Sequence, residues 1–149
     1  MNRVVITGSG IYSTIGKNLQ EVKTSLYNGK SGIGIDPRRK EFGFRSSLTG
    51  IIDEPNLKGI LPRRMRIGLS EQGKYAYVAT MEALKNANID MDFLEKNEVG
   101  ILYGNDSSSI PVIDAIDIVR QKKDTTLIGS GSIFQSMNST ITMNLSVIL

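Results

Sequence analysis

The sequence predicts an α/β protein with a mainly parallel sheet, on three observations. Val4, Val5 and Ile6 form a continuous apolar run that ends at Thr7 and Gly8, and Val99 to Tyr103 repeats the pattern before Gly104. Runs of this kind read as strands covered on both faces, as in sheets whose crossovers are helices. Between and after them, apolar and small residues recur at three- and four-residue spacing, the period of helices that would cover such a sheet. With 149 residues, 40% of them hydrophobic and 22% charged, the chain is long enough for one domain, residues 1–149, with a core.

In chain order, the first strand is followed by a helix at Leu19 to Tyr27, a turn-rich stretch from Asn28 to Arg39 and a strand at Arg45 to Ile52. A longer helix starts with Ser70 as N-cap and Glu71 in its first turn, where a hydroxyl takes a free amide and an anion suits the dipole. It fades at Asn86 to Asn88. Gly73, Ala76, Ala79 or Thr80, Ala83 and Ala87 give it one face of small side chains on which another backbone can pack closely. Past the second strand, Asp106 and Ser107 to Ser109 form a loop expected to cap the next helix. On that helix, Asp114 and Asp117 read as a solvated face rather than a metal site.

Composition narrows the chemistry. There is no Cys and no His, which removes disulfides, thiolate nucleophiles, imidazole bases and Cys or His zinc sites, so no catalytic residue and no metal ligand is assigned. The net charge of +3 is too small to argue nucleic-acid or membrane binding. Charge is unevenly placed: residues 38–74 carry nine basic and four acidic residues, and residues 82–124 nine acidic and five basic. Thr125 to Leu149 has no charge at all, yet its nine Ser and Thr, with Gln135, Asn138 and Asn144, are too polar for a lipid-facing helix. A buried or interface helix fits that tail. Its end at Val147, Ile148 and Leu149, without cap or charge, reads as a chain cut short of its natural terminus. No signal-peptide pattern precedes the first strand, so a cytoplasmic setting is expected.

Two motifs invite a phosphate. Gly8, Gly10 and Gly16 follow a strand, as phosphate-cradling glycines do. However, Ser13 stands where a dinucleotide fingerprint needs Gly or Ala, and five residues separate Gly10 from Gly16 where a P-loop has four. Gly29-Lys30-Ser31 resembles the end of a P-loop, but Thr24 holds the upstream glycine's place. Close packing at a turn is the preferred reading, with a nucleotide-binding α/β domain as the alternative. Arg63, Arg64 and Arg66, near Lys58, form a dense basic cluster at a helix start. Cations there oppose the helix dipole, so an anionic partner would compensate them.

Taken in order, Arg3 to Gly16, the Asn28-Gly-Lys-Ser-Gly-Ile33 turn, Arg63-Arg-Met65 opening a helix that reaches Ala87, and Glu98-Val-Gly-Ile-Leu-Tyr-Gly104 resemble the N-terminal part of a β-ketoacyl-[acyl-carrier-protein] synthase. The resemblance covers essentially the whole chain. It implies an incomplete half of the thiolase-like fold, a mixed, mostly parallel sheet with covering helices, in a cytoplasmic homodimer that needs no cofactor. It further implies decarboxylative condensation of an acyl thioester with malonyl carrier protein, through a Cys nucleophile beyond Leu149 and two His residues further on. The 149 residues are therefore expected to be inactive by themselves. A non-catalytic homologue serving as a structural partner is the other alternative. Gly129 to Thr140 is similar to the family's segment beside the acyl pocket and dimer interface. Ser107, Ile133, Phe134 and Met137 are accordingly expected to line the acyl pocket, and Arg63, Arg64, Lys122 and Lys123 to dock acyl carrier protein. Where the family often has a glycine-rich turn, this chain has Asn105-Asp-Ser-Ser-Ser109.

Overall fold

The computed structural model describes residues 3–149. These form α1 (Leu19–Tyr27), β1 (Ile33–Ile35), α2 (Pro37–Glu41), β2 (Leu48–Gly50), α3 (Arg63–Gly68), α4 (Glu71–Asn86), α5 (Met91–Lys96), α6 (Ile110–Lys122), α7 (Ser132–Ser136) and α8 (Thr140–Ile148). The chain divides into two compact units, Met1–Pro55 with Tyr77–Asp90, and Asn56–Ala76 with Met91–Leu149.

The helices expected at Leu19 to Tyr27 and from Ser70 form with those boundaries, for local reasons, whereas the single helix expected from Arg63 to Ala87 is two, α3 and α4, because Leu69 is extended and Ser70 caps a new helix start. Asn18 Oδ1 accepts the Glu21 amide at 2.9 Å, while Glu21 Oε2 reaches back to the Lys17 amide at 2.8 Å, a reciprocal N-terminal cap. At the other end of α1, Gly29 takes a φ of 61°, and the Lys30 amide closes on the Ser25 carbonyl at 2.8 Å. The P-loop-like glycine is thus a helix terminator. Ser70 Oγ accepts the Gly73 amide at 3.2 Å. Asn88, with φ 56°, ends α4 in the same left-handed manner, and the Ile89 amide meets the Leu84 carbonyl at 2.9 Å.

The expected parallel strands differ. Among the described residues the only sheet is the antiparallel pair β1 and β2, in register Ile33 with Gly50 and Ile35 with Leu48. The strand expected over Arg45 to Ile52 is therefore three residues long. Val4 to Ile6 and Val99 to Tyr103 enter no ladder, and Val4, Ile6 and Leu102 are 94, 92 and 100% exposed. A ladder needs backbone partners at strand spacing, and no described segment supplies them to either run.

In the first unit, the glycine run packs on the small face of α4. A Cβ at Gly8 would lie 2.6 Å from Ala87 N, and one at Gly10 2.7 Å from Ala83 N, well inside contact distance. Neither position tolerates a side chain. Glu82 then ties the loop to α1: its carboxylate accepts the Ile11 amide at 2.9 Å and the Leu19 amide at 2.8 Å. Asn86 Nδ2 donates to the Ser9 carbonyl at 2.7 Å. With α4 against these glycines, the phosphate-cradle alternative loses its space. As expected for a covered helix, only Glu71, Lys85 and Asn86 of α4 are exposed.

The second unit is helical. Its core holds Leu57, Leu61, Leu69 and Ala76 with Ile141 and Leu145 of α8, the last two 2% and 1% exposed. Burying side chains of that size stabilises by about 1.5–3 kcal/mol each. The uncharged tail thus packs one face of α8 within its own unit and leaves Met143 and Val147 exposed. Among the described residues no helix is long and apolar enough to cross a membrane.

Candidate functional site

Helices α6 and α7 pack together and, with the segment from Thr125 to Ser130, enclose a groove of about 680 Å³. Its walls are mainly apolar: Val112, Ile116 and Val119 from α6, Ile128 from the segment and Ile133 from α7. Arg120 stands at the groove, 3.7 Å from Asp117 on its own helix. The volume is in the range of sites that take small organic ligands. An apolar wall with one cation suits a chain with an anionic or polar end.

Of the four expected pocket residues, Ile133 lines this groove and Ser107, Phe134 and Met137 do not. Ile133, Phe134 and Met137 are each about half exposed, at 55, 51 and 51%. Phe134 and Met137 are nonetheless joined by the Met137 amide bonding the Phe134 carbonyl at 3.3 Å as α7 ends. Ser107 lies in the exposed loop after Tyr103, where its amide donates to Asp106 Oδ1 at 2.7 Å. The neighbouring Ser108 amide donates to the Ser136 carbonyl at 3.1 Å, which brings this loop to the end of α7. Ser109 occupies the position before α6 and accepts the Val112 and Ile113 amides through its carbonyl, but its hydroxyl makes no cap bond. The expected serine side-chain cap is replaced by main-chain bonding, with Pro111 in the first turn removing one amide that needed a partner.

Arg63 and Arg64 open α3, exposed and with no ion pair among the described residues. Pro62 precedes them and offers no side-chain cap, so their charge adds to the positive helix end. Arg66, by contrast, turns inward and donates through Nε to the Leu61 carbonyl at 3.1 Å. Lys122 ends α6, and Lys123 takes a φ of 52° with its amide on the Val119 carbonyl. The four cations thus stand on two elements, α3 and the end of α6, and α7 packs against both helices. Gln135 of α7 fastens α3 by donating through Nε2 to the Ile67 carbonyl at 2.6 Å.

None of the perturbed ionisations belongs to a residue that lines the groove, although Asp124 adjoins its Thr125. Lys17 pairs with Asp53 at 2.9 Å, which holds the Asp53 carboxyl below its usual range and raises the Lys17 ammonium. Arg38 does the same to Asp36, and the Lys17 amide lowers Glu21. Asp124, after α6, is lowered by the Thr126 hydroxyl and amide. Burial raises Tyr77. Among the described residues no cluster of three or more carboxylates could hold a metal, and Asp114 and Asp117 lie on the exposed face of α6. Sequence reasoning missed Glu82, Gln135 and Asn105, whose side chains bond backbone far away in sequence. Only a residue's departure from the family pattern marked one of them, Asn105, in advance.

Comparison with known proteins places these features. Residues 1–149 match the family described as "Beta-ketoacyl synthase, N-terminal domain". Among curated proteins, the chain is 36% identical over 151 residues to 3-oxoacyl-[acyl-carrier-protein] synthase 1 of Buchnera aphidicola subsp. Schizaphis graminum, covering 99% of this chain and 37% of that protein. It is 33% identical over 142 residues to the synthase of the same name from Haemophilus influenzae, covering 95% and 35%. The chain therefore spans little more than a third of the length of these relatives. A β-ketoacyl synthase crystal structure from Burkholderia phymatum superposes with a TM-score of 0.83 at 26% identity, over 99% of this chain and 36% of that one. A ketosynthase in complex with its type II PKS acyl-carrier protein shares the fold at a TM-score of 0.69 and 21% identity, over 97% and 38%. The exposed apolar runs at Val4 to Ile6 and Val99 to Tyr103 are therefore part of a thiolase-like α/β architecture. The chain belongs to the β-ketoacyl synthase family, as its N-terminal domain.

Proposed function

We propose that this chain is the N-terminal part of a 3-oxoacyl-[acyl-carrier-protein] synthase, contributing one wall of the acyl pocket and part of the carrier-docking surface. The carrying observation is the 36% identity to 3-oxoacyl-[acyl-carrier-protein] synthase 1 across 99% of the chain. The reaction so assigned is decarboxylative condensation. It needs a thiolate to hold the acyl group and donors for the enolate oxygen, and no Cys or His is present among the 149 residues to supply either. What this chain offers is binding. The apolar groove between α6 and α7, with Ile133, supports an acyl-chain role; Phe134 and Met137 lie outside its walls at the end of α7, which the Ser108 amide, next to Ser107, joins at the Ser136 carbonyl. Unpaired Arg63 and Arg64, with Lys122 and Lys123, support docking of an acidic carrier protein by charge complementarity. The homodimer and cytoplasmic setting belong to the same reading, the former supported by the exposed Phe134, Met143 and Val147 on the uncharged tail.

The test is steady-state condensation by the protein that carries this domain. Reversing Arg63 and Arg64 to Glu should raise KM for carrier-bound substrate about tenfold and weaken its salt dependence, with little change for a small thioester mimic. The 149-residue chain alone should release no carbon dioxide from malonyl carrier protein. Equal loss for both substrates would reject docking, and turnover by the chain alone would reject the assignment of chemistry to residues outside it.

A further inference from the structure

Resting on the acyl-pocket reading above, we propose that Asn105 is a positioning residue for acyl-chain selection, acting through the joint between α7 and α8. Ser139, in that joint, has a φ of 66°, a left-handed conformation that a side chain disfavours. Its amide donates to Asn105 Oδ1 at 3.2 Å, while its carbonyl starts α8 by accepting the Met143 amide at 3.0 Å. Its own hydroxyl caps nothing. Asn105 Nδ2 donates to the Asp106 carbonyl at 3.0 Å, so both ends of the amide are committed and the oxygen faces Ser139.

Two further bonds run between the same segments. The Ser108 amide donates to the Ser136 carbonyl at 3.1 Å, and Thr142 Oγ1 donates to the Tyr103 carbonyl at 3.3 Å. The loop is thus fastened to the joint on both sides of Met137, and Asn105 is the only one of these fasteners that uses a side chain of the loop. Asn105 does not touch the groove. It holds the turn that decides where Met137 stands relative to Ser107, and hence how long a chain fits beside them. A glycine at this position would leave the Ser139 amide without that acceptor.

Two measurements test this. In the 149-residue chain, Asn105→Ala should speed hydrogen exchange of the Ser139 amide at least tenfold and leave the Leu145 amide unchanged, while Asn105→Asp, which keeps an acceptor oxygen, should restore protection. In the condensing protein that carries this domain, Asn105→Ala should change the ratio of kcat/KM between long and short acyl primers at least fivefold, mainly through KM, with Asn105→Asp near the parent ratio. Unchanged Ser139 exchange would overturn the fastening. Faster exchange with an unchanged chain-length ratio would overturn the role in selection. Absence of any condensation by the parent protein, with Ser139 exchange responding as expected, would bring down the condensing-enzyme reading and the selection role with it.

Discussion

Two loops of this chain follow apolar runs of the same kind, and they are held in different ways. The loop from Thr7 to Ser13 adds close packing to hydrogen bonds: Gly8 and Gly10 let its backbone rest against Ala79, Ala83 and Ala87 of α4, where Glu82 and Asn86 bond the Ile11 amide and the Ser9 carbonyl. The loop from Asn105 to Ser109 carries polar side chains throughout, stays largely exposed and is fastened by hydrogen bonds to the α7–α8 joint. Close packing leaves no tolerance for volume, whereas a hydrogen-bonded surface loop tolerates changes in all but its bonding atoms. The first loop is therefore a structural element, and the second is the place where chemistry can vary without unfolding the unit.

The contrast is sharpest for volume. Gly10→Val would drive a branched side chain into the α4 backbone, and it should destabilise the chain by about 3 kcal/mol or more, measured by urea unfolding. A loss under about 1 kcal/mol would show that the loop can lift away from α4.

Next comes the polar fastening of the same loop. Glu82→Ala removes the acceptor for both the Ile11 and Leu19 amides and should cost about 1–3 kcal/mol, mostly at the part-buried Ile11 amide, since the Leu19 amide is exposed and can turn to water. Glu82→Gln keeps one oxygen and should lose less. Equal effects of the two substitutions would mean that packing of the side chain, rather than its acceptor oxygens, holds the loop.

Acidification separates the two units by a smaller margin. Glu21, Asp36 and Asp53, all in the first unit, are held below their ordinary values, against Asp124 in the second among the described residues. A lowered carboxyl contributes stability that is present above its unfolded value and is lost as pH falls through the folded one. Below pH ~4, amide protection in the first unit should therefore fall before that in the second, as read by exchange at Val22 and Leu145. Simultaneous loss would show that the units unfold together.

The smallest effect belongs to the exposed loop. Ser107→Ala should change stability by less than about 0.5 kcal/mol, because that side chain is exposed and bonds only Asp106 next to it. A loss comparable to that of Glu82→Ala would erase the distinction between the loops.

Much of this was readable in order along the chain. The Ser70 cap of α4, the small face of α4 and its use by a close-packed backbone rest on interactions within a few residues or on a single periodicity, and both signals are local. The run of motifs from Arg3 to Gly104 carried the family for the same reason, each motif being a short stretch with a defined backbone. The candidate site was less readable. Of the four residues expected at an acyl pocket only Ile133 lines the groove, Arg120 at the groove carried no sequence signal, and Ser109 starts α6 through its carbonyl rather than its hydroxyl.

Sequence alone determined where α1 and α4 begin and end, which glycines need closeness, and that no thiolate or imidazole chemistry can come from these residues. Tertiary structure alone decided which distant groups meet: Glu82 with Ile11 and Leu19, Gln135 with Ile67, Asn105 with Ser139. It also decided that Val4 to Ile6 and Val99 to Tyr103, though patterned as strands, form no ladder among the described residues. The physical reason is shared. A helix satisfies its own backbone within four residues, while a strand, a groove or a side-chain fastener is completed by groups whose distance along the chain leaves no periodic trace in it.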